Sequence, residues 1–268
     1  MFDNDTTLDD PKVSERFNAS DSDITAISSD GILFKVHRRN LEMHSEGFIS
    51  QRDENVITAA EKASVLELLF QYMYRQPQPN LAMVPFFDLA LLAEAVEKYH
   101  VFSAQEVCKA HMRANISAEP IIVLSYATRY GYHDLCDEAA PRTVGMTNEI
   151  ALKVLGTRSF ARWALYKDGW MKALRDAQSR TGRVLHKGGR EACEEWWPFQ
   201  AKILSALGCD PENLQEVTGI FRRHVKMLKE CSHCRTRAEQ WQTSMEAAVL
   251  RIPTFTEAQA LLTIGNAP

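Results

Sequence analysis

Residues 24–36 read ITAISSDGILFKV, which are two short β-prone runs on either side of a turn. Asp30 and Gly31 lie between these runs, and an Asp-Gly pair in this position is the strongest local signal of a β-hairpin. Phe34 and Val36 alternate with Lys35, as a strand with one buried face requires. The stretch therefore predicts a hairpin around which the first half of the chain folds.

Helical patterns dominate the residues that follow the hairpin. A segment of mixed polarity around Leu41 and Phe48 favours a helix, and residues 55–58 favour a third short strand. Three amphipathic helices are predicted after that strand, over residues 64–73, 86–100 and 104–112. The order hairpin, helix, strand and several helices predicts an α+β unit whose small sheet is covered by helices.

An ordered set of residues runs through this predicted unit. In sequence order it comprises Asp23, Ile24, Phe34, His37, Leu41, Ser45, Phe48, the aliphatic-rich run 65–74 that ends in Tyr74, Leu89, Ala90, Tyr99, Val101 and Cys108. The set, spread over residues 21–113, resembles the pattern of the BTB/POZ domain, in particular that of the BTB-only proteins common in mushroom-type fungi. The resemblance implies a BTB/POZ fold for this half of the chain and a non-enzymatic protein-interaction module that acts by dimerisation or as an adaptor.

The resemblance also implies a dimer interface. Asp23 and Arg38 match the acidic and basic residues that line a charged pocket between subunits in dimeric members of the family. Apolar helix faces around Leu41 and Phe48 would be buried between two copies. The expected partners are therefore a second copy of this chain or other BTB proteins in a hetero-oligomer.

Two departures from the family pattern limit what the resemblance implies. The cullin-binding signature, an aliphatic residue two positions before a glutamate, is not evident in residues 49–54, so a cullin-type ubiquitin-ligase substrate adaptor is an alternative to be tested. No strand is predicted before Asp23, which argues against the strand-exchanged form of the dimer. His37, where the second hairpin strand passes into a helix, is expected to have a structural role and no catalytic one.

Charge is unevenly distributed along the chain. The formal net charge is −4, and the first 23 residues hold seven Asp and Glu against Lys12 and Arg16, a local balance of −5. Residues 1–20 are polar, acidic and aperiodic, with Pro11 among them, which predicts a disordered tail. The rest of the chain is close to neutral and has no basic excess, so binding of nucleic acid is not expected.

The second half of the chain is predicted to be entirely helical. Residues 120–130 form an apolar helical pattern, and Gly131 has the position of a helix C-cap. Trp163, Tyr166 and Trp170 lie at helical spacing, and core packing is the expected reason for this aromatic face. A helical extension over residues 114–180 and a helical C-terminal region over 181–268 are expected, with a boundary in the glycine-containing segment 182–189.

The C-terminal region contains one cluster with chemical potential. Cys231 and Cys234 form a Cys-x-x-Cys pair, and His224 precedes it, as do Cys193 and His186 much earlier in the chain. Such a pair can grip one metal ion, and Cys193 with His224 or His233 would complete a tetrahedral set. On a single helix His224, Cys231 and Cys234 would also share a face with Val217 and Trp241, which core packing explains equally well.

Three interpretations of this cluster stay open: buried thiols, structural zinc held by Cys193, His224, Cys231 and Cys234, and redox chemistry, for which the usual βαβ context is missing. A zinc-stabilised or transcription-associated regulator is the corresponding alternative function. The three other cysteines, Cys108, Cys136 and Cys209, are expected to be small apolar packing residues.

Several classes of function lack their usual sequence signals. No Gly-x-Ser-x-Gly elbow or His-Glu-x-x-His helix occurs, so no enzymatic activity is expected. No uninterrupted apolar stretch reaches the length of roughly 18–20 residues that spans a bilayer, and the N-terminus does not read as a signal peptide. The expected location is therefore intracellular, in the cytoplasm or the nucleus.

Overall fold

The computed structural model describes residues 12–48, 55–179, 193–229 and 231–258. The chain divides into two compact units, one that ends at Asn115 and one that begins at Ile116. They are called the first and the second unit below. The first unit combines a small mixed sheet with helices, and the second consists of helices, so the chain as a whole belongs to the α+β class.

The sheet of the first unit is built on the predicted hairpin. Its four strands are β1 (Val13–Asn18), β2 (Ile24–Ile27), β3 (Leu33–Val36) and β4 (Val56–Thr58). β2 and β3 pair antiparallel, with Ala26 opposite Phe34, which confirms the hairpin. β4 pairs with β2 in parallel, and β1 pairs with β3 in parallel, so the order across the sheet is β1-β3-β2-β4.

Strand β1 lies in the segment that was expected to be a disordered tail. Phe17 of this strand is buried, and its ring packs against those of Phe34 and Phe70 with centroids 6.3 and 5.5 Å apart. Because ladder pairing with β3 and burial of this ring offset the cost of ordering, the prediction of a tail is wrong for residues 13–18. The expectation that no strand precedes Asp23 therefore no longer argues against a strand-exchanged dimer. Residues 1–11 lie outside the described residues.

Four helices cover the sheet or follow it. The core of the first unit is formed where α2 meets the sheet, and Phe34, Leu66 and Phe70 are fully buried there. Phe34 and Phe70 pack edge to face with ring centroids 5.4 Å apart. The helices are α1 (Arg38–His44), α2 (Ala63–Gln71), α3 (Phe86–Lys98) and α4 (Phe102–Ala114).

The second unit contains six α-helices among the described residues. Gly131 ends α5 in the left-handed conformation, with φ of 75°, as the C-cap prediction requires. Gly156 interrupts α7 with φ of 69° and ψ of 165°, so α7 is two helical segments joined by a kink. The helices are α5 (Pro120–Tyr130), α6 (His133–Ala139), α7 (Asn148–Ser179), α8 (Trp196–Leu207), α9 (Val217–His224) and α10 (Ser232–Leu250).

Aromatic side chains form the core of the second unit. Trp163, Tyr166 and Trp170 are all buried, which confirms that this face of α7 serves core packing. The indole of Trp241 on α10 donates a hydrogen bond to the Ala177 carbonyl of α7 over 2.9 Å. The helices before and after the expected boundary at residues 182–189 thus belong to one unit, and that segment itself lies outside the described residues.

Candidate functional site

The first candidate site is the junction of β2, β3 and α1 in the first unit. A carboxylate oxygen of Asp23, just before β2, accepts a hydrogen bond from the backbone amide of Arg38 at the start of α1 over 2.7 Å. The Arg38 guanidinium donates to the side-chain oxygen of Asn55 over 3.4 Å. A carboxylate at a helix N-terminus also interacts favourably with the helix dipole. The structure thus brings the predicted pair together, with Asp23 capping α1.

His37 precedes Arg38 and links three segments of the first unit. The Tyr74 hydroxyl accepts a hydrogen bond from the His37 amide over 2.9 Å and lies 3.0 Å from ring atom Nδ1. Ring atom Nε2 faces a carboxylate oxygen of Asp21 at 3.2 Å. These partners favour the tautomer in which Nε2 carries the proton and Nδ1 accepts from Tyr74. They give His37 the structural role that the sequence indicated.

The two predicted apolar interface residues lie inside the first unit. Leu41 is 0% exposed, and Phe48 is 4% exposed. The Phe48 ring packs against Phe70 and Tyr99, with centroids 5.3 and 4.6 Å apart. The exposed large apolar side chain of α1 is that of Met43, which is 63% exposed. The dimer interface stays a prediction. Because Leu41 and Phe48 are buried, they do not form part of the exposed surface of such an interface.

A second exposed surface of the first unit was not identified from the sequence. Phe87 and Leu91 lie four residues apart on α3 and are exposed, and Met83 is exposed at the end of the short 3₁₀ helix Leu81–Met83 that precedes α3. The helical pattern in the sequence indicated the buried face of α3, which contains Leu89, but gave no signal for an apolar surface opposite it. We call these three residues the α3 stripe. An apolar stripe of this kind is a common feature of protein-interaction surfaces.

The second candidate site is a group of three cysteines in the second unit. Cys193 lies three residues before α8, Cys231 is the N-cap of α10, and Cys234 lies in the first turn of that helix. Their sulfur atoms all lie within 4.8 Å of one another, and the Cys193 and Cys234 sulfurs are 3.2 Å apart. The structure therefore brings together three of the four residues proposed as zinc ligands.

Two features of the cysteine group act in opposite directions on negative charge at the sulfurs. The Cys231 sulfur accepts a hydrogen bond from the backbone amide of Cys234 over 3.4 Å, at the end of α10 where the helix dipole favours a thiolate. Burial raises the pKa of the Cys234 thiol to about 12, so a thiolate at this position needs a cation beside it. A thiophilic metal ion bound to the sulfurs meets that requirement.

An arginine and a tryptophan lie next to the cysteines. Arg237 follows Cys234 by three residues on α10, and its guanidinium is buried over the indole of Trp196 with 4.1 Å to the ring centroid. Trp196 follows Cys193 by three residues and packs against Trp241, with ring centroids 6.1 Å apart. The cysteines therefore sit at one end of the aromatic core that joins α8 to α10.

The predicted histidine ligand does not belong to this group. His224 is the last residue of α9, and a 3₁₀ helix, Val225–Leu228, separates α9 from α10. The expectation that His224 and the Cys-x-x-Cys pair share one helix is therefore wrong. His233 is exposed in the first turn of α10 and is also outside the group, while His186 lies outside the described residues.

The remaining cysteines divide into two kinds. Cys108 and Cys136 are buried, and burial raises the pKa of each to about 12, which confirms them as packing residues. Cys209 is exposed, so the packing prediction is wrong there. The reason is local, since α8 ends at Leu207 and Gly208, with φ of 53°, directs the chain out of the helix.

Comparison with known proteins adds no family to this description. No protein-family model matches the sequence, and no similar sequence was found among curated proteins. Among the described residues, no helix combines the length and the apolar character that crossing a membrane requires. The function is therefore inferred from the two candidate sites.

Proposed function

We propose that the first unit is a non-enzymatic protein-interaction module of the BTB/POZ type, which assembles as a homodimer or with other BTB proteins. The observation that carries the proposal is that this unit leaves large apolar side chains exposed, among them Met43 on α1 and the α3 stripe. The mixed sheet and the order of strands and helices are compatible with the resemblance noted in the sequence. The proposed mechanism is recognition through these surfaces.

The test is the association state of the full chain. The full chain is needed because β1 begins at Val13 and packs through Phe17 into the core. Sedimentation at tens of micromolar is expected to give a dimer, and the double change Asp23→Asn, Arg38→Gln is expected to weaken it. A chain that stays monomeric would contradict the dimer.

A second variant separates the two surfaces. Phe87→Ser alters the α3 stripe and leaves α1 untouched, so it is the matched control for a dimer built around Asp23, Arg38 and Met43. If Phe87→Ser dissociates the dimer and the double change does not, self-association uses the α3 stripe instead. The cullin-adaptor alternative depends on residues 49–54, which lie outside the described residues, and it stays a prediction.

We further infer that the second unit binds zinc through Cys193, Cys231 and Cys234. Tetrahedral thiolates at the usual Zn–S distance of about 2.3 Å lie roughly 3.8 Å from one another. The Cys193 and Cys234 sulfurs are 3.2 Å apart, and all three sulfurs lie within 4.8 Å of one another, so the group is close to the size of such a site. Small side-chain movements would therefore complete a site with three protein sulfurs, and a soft donor set of this kind selects zinc over magnesium or calcium.

Metal analysis of the purified chain tests this inference. One zinc ion per chain is expected, together with its loss in Cys231→Ser and in Cys234→Ser. Cys209→Ser is the matched control, because it removes an exposed thiol that is not part of the group. A chain that takes up no zinc, or one that loses it equally in Cys209→Ser, would contradict a site at these cysteines.

A further inference from the structure

We propose that the cysteine group is a peroxide-sensitive switch, in which oxidation joins Cys193 to Cys234 in a disulfide and expels the metal ion. The proposal rests on the zinc site inferred above and adds its regulation. A hydroperoxide is the oxidant, and the group both senses it and responds to it by releasing the ion.

The first support is the spacing of one pair of sulfurs. The Cys193 and Cys234 sulfurs are 3.2 Å apart, and a disulfide requires about 2.05 Å, so they must close by roughly 1.2 Å. Cys193 lies outside regular secondary structure, whereas Cys234 is fixed in the first turn of α10. The necessary movement therefore falls on Cys193 and leaves the helix in place.

The second support is the difference in exposure within that pair. Cys193 is partly exposed, and Cys234 is fully buried. A small oxidant therefore reaches Cys193 first, and the buried Cys234 sulfur, already next to it, is placed to resolve the product. This division into an accessible sulfur and an adjacent resolving sulfur is characteristic of reversible thiol oxidation.

The chemistry balances with one equivalent of hydroperoxide. The Cys193 thiolate attacks a peroxide oxygen, the O–O bond breaks, and a sulfenic acid forms with release of hydroxide. The Cys234 thiolate then attacks that sulfur and expels a second hydroxide as the S–S bond forms. In total two thiolates, one hydrogen peroxide and two protons give one disulfide and two waters. Sulfur loses the two electrons that oxygen gains, and zinc leaves as Zn²⁺ because it has lost two of its three protein ligands.

Oxidation also changes the state of Cys231, the third proposed zinc ligand. Cys231 is at the N-cap of α10 and is not part of the proposed disulfide, so oxidation leaves its sulfur without a metal. Each oxidation event therefore releases one zinc ion and leaves Cys231 as the one sulfur of the group that is not part of the disulfide.

The experiment uses the full chain loaded with zinc and treated with hydrogen peroxide. A chromogenic chelator is expected to detect one zinc ion for every two thiols lost, and dithiothreitol is expected to restore both thiols. Trypsin yields the peptides 191–202, with Cys193, and 230–235, with both Cys231 and Cys234. A cross-link between these peptides is expected, and an internal disulfide within 230–235 would overturn the assignment.

Two variants make the assignment specific. Cys234→Ser leaves Cys231 as the only cysteine of 230–235 and is expected to give no cross-link to 191–202, whereas in metal-free Cys231→Ser a cross-link to that peptide can involve only Cys234. A cross-link that persists in Cys234→Ser would overturn the assignment. Cys209→Ser is the control and is expected to behave as the wild type. If the chain never takes up zinc, the zinc site and the switch both fall. If it binds zinc but peroxide neither releases the ion nor forms the cross-link, only the switch falls.

Discussion

A buried hydrogen-bonded pair in the second unit, Trp163 and Thr143, allows a direct test of how that unit is stabilised. The Trp163 indole donates to the Thr143 hydroxyl over 2.8 Å, and that hydroxyl donates to the Ala140 carbonyl over 2.7 Å. Both side chains are fully buried. Thr143→Val keeps the shape of the side chain but leaves the indole N–H without its acceptor and away from water.

The expected cost follows from that orphaned donor. A buried polar group that loses its partner destabilises a protein by about 1–3 kcal/mol, and we expect about 2 kcal/mol here. With a urea dependence of roughly 2 kcal/mol per molar, the unfolding midpoint should fall by about 1 M. The melting temperature should fall by about 4–8 °C, at roughly 2–4 °C per kcal/mol for a unit of this size.

Tryptophan fluorescence is the assay, because it reports on the second unit alone. All five tryptophans, at positions 163, 170, 196, 197 and 241, follow Ile116, where that unit begins. Thr143→Ser keeps the hydroxyl and is the control, with an expected loss of less than about 1 kcal/mol for one methyl group. If Thr143→Val costs the same in a Trp163→Phe background, where the indole N–H is absent, the reasoning is refuted.

Two further predictions concern the carboxylate of Glu61 and the glycine after α5. Glu61 accepts hydrogen bonds from Lys98 and Tyr99 over 2.8 and 2.6 Å, and these outweigh partial burial and lower the pKa of Glu61 from its ordinary value of 4.5. The ionised Glu61 therefore stabilises the fold above pH 4.5, and this stabilisation is lost as the pH falls through the lowered pKa. Glu61→Gln should reduce the free energy of unfolding by about 1 kcal/mol at neutral pH. It should also reduce the loss of stability on acidification, measured by far-UV circular dichroism. A variant that loses as much stability on acidification as the wild type would contradict this. Gly131→Ala should destabilise the second unit by about 1–2 kcal/mol in urea titrations followed by fluorescence, because alanine disfavours a φ of 75°. Gly131→Asn should cost less, since asparagine tolerates that conformation, and equal costs would rule out backbone strain as the cause.

The elements that the sequence predicted correctly are those with local signals. The hairpin follows from two alternating runs around Asp30 and Gly31, and the end of α5 follows from Gly131, so both depend on residues that are neighbours in sequence. β1 has no such signal, since its partner β3 is about twenty residues away and its buried Phe17 stands among polar residues. β4 also pairs in parallel with a distant strand, but its residues Val56–Thr58 are β-prone and predict a strand, whereas β1 has Ser14, Glu15 and Arg16 between its two apolar residues.

The same distinction explains the outcome at the cysteine group. Cys231 and Cys234 were recognisable because a Cys-x-x-Cys pair is a local motif. Cys193 lies 41 residues before Cys234, and tertiary packing, including that of Trp196 on Trp241, brings it to the pair. His224 is closer in sequence, but the break between α9 and α10 removes it from the group. Of the two candidate ligands outside the Cys-x-x-Cys pair, the one more distant in sequence therefore joins the group.

The proposed zinc ion and the proposed disulfide both link Cys193 to Cys234 and so close the same loop of the chain. This shared loop determines how oxidation affects the stability of the second unit. A link between residues 41 positions apart lowers the conformational entropy of the unfolded chain. By the loop-closure treatment this stabilises the folded state by about 4 kcal/mol at 25 °C. Both the zinc-bound and the disulfide form carry a link of this kind, whereas the reduced, metal-free form carries none. The second unit should therefore unfold at similar urea concentrations in the two linked forms and at a lower one in the unlinked form. If the two linked forms unfold at similar urea concentrations, oxidation leaves the aromatic core intact. The effect of oxidation is then confined to the released zinc ion and to Cys231.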